Sequence, residues 1–181
     1  RLGDCCIGRY EERNITDMMD ERKNVRVKIL SNAEFLHPVI ELANAGHEVT
    51  IPLRGYSMRP FLEDGRDKAI LIKINRKLQI DDVVLAEIRP GSYALHRIIY
   101  VDDRRVQMLG DGNINPDPVI PVGNVKLIVK AFIRKNSGKK DFVDGKRFQL
   151  YSKVWIKLTP IRRWLLAFWR RMPLGLRNRL L

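Results

Sequence analysis

The chain has 181 residues, 45% of them apolar and 30% charged, with a net charge of +13. This length suits one domain with an appendage, and the composition excludes a disordered polymer. It also excludes a helical membrane bundle, because no apolar run approaches the roughly 18–20 residues that span a bilayer.

The charge is unevenly placed. Residues 1–133 carry 20 Lys/Arg against 19 Asp/Glu, whereas residues 134–181 carry 14 Lys/Arg and only Asp141 and Asp144. The partner class that a basic protein suggests, nucleic acid or an anionic membrane surface, therefore concerns the last quarter of the chain alone. Arg at position 1 is the expectation for a processed or truncated N-terminus. Residues 1–23 mix both signs without sustained periodicity, read as flexible or weakly helical, and have no apolar stretch of a secretory signal. Cys5 and Cys6 form neither a disulfide framework nor a four-ligand zinc site. They are candidates for palmitoylation, although adjacent cysteines without a role are more common.

In chain order, Val25 to Leu30 alternates as a strand. Ser31 or Asn32 can cap a helix that carries Leu36, Val39, Ile40 and Ala43 on one face, tolerates Pro38 early, and stops at Gly46. Glu48 to Arg54 reads as a strand, and Pro52 suggests an edge. A turn-rich stretch, Gly55 to Asp67, precedes strands at Lys68–Ile74, Asp82–Ile88 and Tyr93–Val101. A hairpin turn at Asp102-Asp103-Arg104, a return strand at Arg105–Leu109, a loop at Gly110–Pro118 and a strand at Val125–Ile133 follow. Short strands separated by turn signals predict a mainly β body, an antiparallel sheet or barrel.

Residues 148–172 read as helical, aromatic and basic, divided at Pro160. Ile161, Trp164, Leu165, Phe168 and Met172 share one helical face, with Arg162, Arg163, Arg170 and Arg171 around them. This stripe predicts a helix docked on the β body by its apolar face or lying on anionic lipid. For the lipid reading the contact residues are Arg162, Arg163, Trp164, Phe168, Trp169, Arg170 and Arg171. No helix-turn-helix, zinc or RNA-binding signature points to nucleic acid.

Three segments carry candidate chemistry. They are Gly55-Tyr56-Ser57-Met58-Arg59-Pro60, Leu95-His96-Arg97-Ile98-Ile99, and Leu109-Gly110-Asp111-Gly112-Asn113 with Asp117 beyond it. Singly, each has a plain structural explanation: a serine turn, a core histidine, an aspartate turn. Together they supply a hydroxyl, a base with a pKa near neutrality and a carboxylate to orient it. Asp111 and Asp117 both qualify as orienter. Gly55 permits a sharp turn before Ser57, whose backbone N–H can face an oxyanion. His37 and His47 sit in no comparable segment, and no metal-ligand pattern or cofactor motif occurs: G-x-G-x-x-G and G-x-x-x-x-G-K-[ST] are both missing.

These segments resemble the signal peptidase and SOS-repressor superfamily of serine peptidases. Gly55-Tyr56-Ser57-Met58-Arg59-Pro60 with Gly65-Arg66-Asp67 looks like its nucleophile box, and Leu78 to Leu85 looks like the box that follows. Leu95-His96-Arg97-Ile98-Ile99 is similar to the histidine box of the endoplasmic-reticulum type, and Leu109 to Asn113 to its Gly-Asp box. The match covers residues 50–133. Arg66 lengthens the usual Gly-Asp pair, Asp82 stands where a glycine is common, and the transmembrane helix usual in signal peptidases is not expected within these residues; the resemblance is to a bacterial relative of the endoplasmic-reticulum type.

The resemblance implies a β-barrel-like fold; the sequence pattern adds one N-terminal helix and a C-terminal basic amphipathic helical tail, for which the family offers no counterpart. Together they divide the chain into a flexible segment (1–23), a serine peptidase domain (24–136) and the tail (137–181). The resemblance implies an endopeptidase with Ser57 as nucleophile, His96 as base, Asp117 or Asp111 as orienter, and Ser57 with Gly55 at the oxyanion. The substrate is an extended signal or leader peptide cleaved after small residues. It would be paired beside Ile51, Pro52, Leu53 and Arg54 and touched by Tyr56, Met58 and Pro60. No cofactor is implied. The expected partners are the precursor substrate and an anionic membrane surface along residues 150–181, with a cytoplasmic or peripheral membrane location. The alternative is a non-catalytic or self-cleaving regulatory module of the same fold.

Overall fold

The computed structural model describes residues 10–11, 29–30, 32–134 and 139–172. The expectations for Cys5, Cys6 and most of the first 28 residues lie outside the described residues, as do Ser31 and residues 173–181. Strand β1 (Tyr10–Glu11) pairs antiparallel with β2 (Ile29–Leu30), the last two residues of the alternating run at 25–30. Helix α1 (Asn32–Asn44) follows, with Glu34 in its first turn, Pro38 early in the helix and Gly46 at a φ of 98° just beyond it. Its buried side chains are Leu36, Val39 and Ala43, the predicted face.

The body is an antiparallel sheet. Its strands are β3 (Val49–Pro52), β4 (Lys68–Ile72), β5 (Val83–Arg89), β6 (Ser92–Val101), β7 (Arg105–Leu109), β8 (Ile120–Pro121), β9 (Val125–Ile133) and β10 (Lys140–Phe142). The order is β3-β4-β9-β5-β6-β7-β8, and β10 also pairs with β9. The sheet is open, with β3 and β8 at its two ends, so the expected barrel does not close. The short strands β8 and β10 were not expected. Strand β10 carries the sheet past residue 136, where the sequence suggests that a helical tail begins.

Both faces of the sheet are buried, which explains why β5 and β6 read as near-continuous apolar runs. Neighbouring residues of a strand project to opposite faces. Val83 and Leu85 accordingly join a core with Leu95, Phe132, α1 and the Met58–Leu62 segment, while Val84 and Ala86 join a second core with Ile98, Met108 and Ile128. The register of β9 slips by one residue against β5 and again against β4, leaving Lys126 and Lys130 as the extra residues. Such bulges re-aim side chains. Here both lysines reach carboxylates, Glu87 and Glu48 respectively.

Helix α2 (Lys146–Lys157) leads through a 3-10 turn at Thr159–Ile161, which contains Pro160, into helix α3 (Arg162–Arg171). Helix α2 is part of the core rather than an appendage. Phe148 and Trp155 are buried, and Phe148 stacks on Phe132 at a centroid distance of 5.8 Å and meets Phe61 edge-on at 5.3 Å. Tyr151 stacks on Phe61 at 4.5 Å. Replacing Phe148 by Ala is expected to destabilise the fold by about 3–5 kcal/mol, the usual cost of an aromatic cavity in a closed core. Urea unfolding measures it; a change below about 1 kcal/mol, the level of an ordinary surface substitution, would mean that α2 is not part of this core.

Helix α3 does not present the predicted stripe to the body. Its buried residues are Arg162 and Leu166, whereas Trp164 is 67% and Phe168 68% exposed. Arg162 lies against the Trp155 ring and donates from Nη2 to the Trp155 carbonyl at 3.4 Å, near the negative C-terminal end of α2. Burial pulls its pKa down from the ordinary arginine value, against the attraction of Asp111. Arg162 therefore fastens α3 to α2, and its expected lipid contact is corrected by its 4% exposure.

Candidate active site

Ser57 lies in the turn-rich stretch between β3 and β4. Gly55 enters it at a φ of 88°, a left-handed conformation that glycine adopts without a Cβ penalty. The Gly55 N–H donates to Asp64 Oδ1 at 2.8 Å, so it is committed to the loop and is corrected as an oxyanion donor. The loop closes back on the sheet through Leu53 N–H to the Asp67 carbonyl and Gly65 N–H to the Leu53 carbonyl, both 2.9 Å. Asp67 is fully buried and accepts from Glu63 N–H at 2.8 Å and from Arg66 Nε and Nη2 at 2.8 and 2.7 Å. The residue inserted in the Gly-Asp pair is thus the partner that neutralises the buried carboxylate, an arrangement the sequence spacing did not disclose.

His96 comes from the middle of β6, opposite Val84 of β5. Its Nε2 lies 2.8 Å from Ser57 Oγ, and its Nδ1 lies 2.5 Å from Asp117 Oδ2. With Nδ1 protonated and donating to Asp117, Nε2 is free to accept the serine proton. The imidazole is nearly closed off from solvent, and the Asp117 side chain is 14% exposed. Asp117 is anchored by its own backbone: its N–H donates to the Met108 carbonyl at 2.8 Å, and its carbonyl accepts from Gln107 Nε2 at 3.1 Å.

Asp111, the other candidate for the histidine, faces elsewhere. It pairs with Arg97 through two bonds, Nε to Oδ1 at 3.0 Å and Nη2 to Oδ2 at 2.9 Å, and both residues are 1% exposed. Arg97 also donates from Nη1 to Ser152 Oγ at 2.7 Å and to the Asp81 carbonyl at 3.2 Å. The Trp155 indole N–H donates to the Asp111 carbonyl at 3.0 Å, and the Tyr151 hydroxyl to its Oδ2 at 3.4 Å. Burial, reinforced by the Asp111 charge, pushes the Tyr151 phenol well above its ordinary value, which keeps it a neutral donor. The alternation along β6 explains the division: His96 and its neighbour Arg97 project to opposite faces and collect different aspartates. The hub of Arg97, Asp111, Tyr151, Ser152 and Trp155 was missed in the sequence, where only Arg97 and Asp111 lie in motifs and nothing links them to α2.

Two glycines let the loops close. A Cβ on Gly110 would stand 2.5 Å from the Ser57 carbonyl oxygen and 2.9 Å from His96 Nε2, and one on Gly112 would stand 2.5 Å from the Tyr56 carbonyl. The Gly112 N–H donates to the Ser57 carbonyl at 2.7 Å. Gly110→Ala is therefore expected to push the serine loop off the histidine. It should cost about 1–3 kcal/mol in stability, as overpacking does, and remove reactivity at Ser57. Thermal unfolding and probe labelling of the variant check both parts; full reactivity would show that the contact is not needed.

The remaining candidates separate. Tyr56 is exposed and carries Arg59 over its ring at 4.0 Å, and Pro60 is half-buried. Met58, Ile51 and Leu53 are in the core, so their side chains cannot touch a peptide; only main chain and the half-buried Pro52 and Arg54 remain for that role. Strand β3 is an end strand of the sheet, as Pro52 suggests. The glycine-like position of the turn before β5 is Asp81, at a φ of 79°, one residue earlier than Asp82. Of the residues expected to face lipid, Arg163, Trp164, Phe168 and Arg171 are exposed and Trp169 is half-buried; the Arg170 side chain lies outside the described atoms.

Among the described residues no three His, Cys, Asp or Glu side chains gather as a metal site, and no helix is long and apolar enough to cross a membrane. No protein-family model matches the chain, and no curated protein or solved structure matches it.

Proposed function

We propose that this protein is a serine endopeptidase in which Ser57, His96 and Asp117 form the catalytic triad. The observation that carries the reading is the continuous hydrogen-bonded series Ser57 Oγ–His96 Nε2 and His96 Nδ1–Asp117 Oδ2, at 2.8 and 2.5 Å. In the first half-reaction Ser57 Oγ attacks the scissile carbonyl carbon while its proton passes to Nε2. The oxyanion that forms is held by the Ser57 main-chain N–H. His96 returns the proton to the leaving amine, and an ester to Ser57 remains. Water, deprotonated by the same Nε2, then attacks that ester; the C–Oγ bond breaks, the Nε2 proton passes to Ser57 Oγ, and the acid product leaves. Asp117 fixes the tautomer and stabilises the imidazolium at each stage.

The substrate is an extended peptide laid along the end strand β3, with Tyr56 at the mouth of the site. The resemblance to signal peptidases of the endoplasmic-reticulum type supports cleavage after small residues. It also supports their specific fold as the parent of this open sheet.

An acylating β-lactam-type probe tests the nucleophile directly. The intact mass should rise by one adduct, and peptide mapping should place it on Ser57. An adduct on any other residue, retained in Ser57→Ala protein, would remove the serine from this role.

A further inference from the structure

We infer that the solvent face of α3 is a docking surface for an anionic lipid bilayer. The inference stands on surface chemistry and does not require that Ser57 be catalytic. Each helix hides one side and shows another. On α2 the hidden side is Phe148, Ser152 and Trp155, and the shown side is Lys146, Leu150, Lys153, Val154 and Lys157 at helical spacing. On α3 the shown side is Arg163, Trp164, Ala167, Phe168 and Arg171. Trp164 and Phe168, four residues apart, are the two most exposed large apolar side chains described in the molecule.

An apolar pair turned to water on a well-packed helix is a cost unless something covers it. The occupant is identified by what surrounds the pair. Residues 145–172 contain no Asp or Glu; arginines flank Trp164 and Phe168 on α3, and lysines flank Leu150 and Val154 on α2. The shown side of α3 offers hydrocarbon and point charges and no carboxylate or amide for directional bonding. That chemistry suits a fluid, diffusely negative surface into which aromatic rings sink to the headgroup boundary. A second copy docked through the same face would set arginines against arginines. The buried Arg162 contributes nothing to the surface, but it holds α3 in the orientation that turns Trp164 and Phe168 outward. Through Trp155 and Tyr151, α2 grips Asp111, one residue from Gly110, so a bilayer docked on α3 lies one helix away from the loop that closes on Ser57.

Vesicle co-sedimentation of the full chain tests this. The wild type should sediment with phosphatidylcholine–phosphatidylglycerol vesicles and remain in solution with phosphatidylcholine alone. Binding should fall as salt rises, and tryptophan emission should shift to the blue as Trp164 leaves water. The double variant W164S/F168S should bind at least roughly tenfold more weakly, because it loses two buried aromatics from the bilayer. Its thermal unfolding should match the wild type, since both residues are exposed in the free protein. The charge variant R163E/R171E should likewise lose the salt-dependent part of the binding. The inference is overturned if the wild type ignores anionic vesicles, binds neutral ones equally, or is unaffected by W164S/F168S. It is equally overturned if single-stranded RNA displaces the vesicles and binds both proteins alike, which would assign the cations to phosphate recognition.

Discussion

Ser57→Ala protein is expected to cleave a quenched peptide with small residues at its cleavage point roughly 10⁶-fold more slowly than the wild type, while unfolding at the same temperature. The hydroxyl is half-buried and small, so its loss leaves little cavity; what disappears is the atom that attacks. His96→Ala should lose a comparable factor, and the double variant should be no worse than either single one, because a base without a nucleophile has nothing to deprotonate. Purified Ser57→Ala protein that still cleaves would refute the mechanism. Equally slow rates that multiply in the double variant would mean that the two residues act in separate ways.

The second large effect separates the two aspartates. Asp111→Ala removes one member of a pair in which both side chains are 1% exposed, leaving the Arg97 guanidinium buried beside Ser152 without its counter-charge. Breaking such a pair costs about 3–5 kcal/mol. The loss should appear in urea unfolding, with faster hydrogen exchange along α2 because Tyr151 and Trp155 lose the loop they hold. Asp117→Asn should behave in the opposite way. The amide keeps the volume but carries no charge to stabilise the imidazolium, and its NH2 donates to Nδ1 and selects the wrong tautomer, so cleavage falls by roughly 10⁴-fold while the fold survives. A stable Asp111→Ala protein with no activity, or an unfolded Asp117→Asn protein, would reverse the two roles.

The helix at 32–44 was legible because Leu36, Val39 and Ala43 recur at its period; β5, β6 and β9 were legible as runs rich in β-branched residues between turn residues, and β7 as the return after the turn at Asp102-Asp103-Arg104. The two-residue β8 and the three-residue β10 were not, since they are too short for any period to register. The apolar stripe of α3 was readable as amphipathic, but which side would be hidden was not. Periodicity measures how apolar a face is, whereas burial here follows Leu166 and an arginine seated at the end of α2.

What the amino-acid order determined by itself was the material of the site: a serine after a turn glycine, a histidine within a strand, aspartates in a Gly-Asn loop, and cations gathered after residue 133. What only the tertiary structure decided was the pairing. Asp111 and Asp117 lie six positions apart in one loop, and nothing local distinguishes them. The distinction arises where β6 turns His96 to one face and Arg97 to the other, so that each aspartate meets a different partner brought from far along the chain. Such contacts depend on the direction in which side chains leave a sheet and on which loops can approach it. Those are properties of the assembled fold and not of any segment within it.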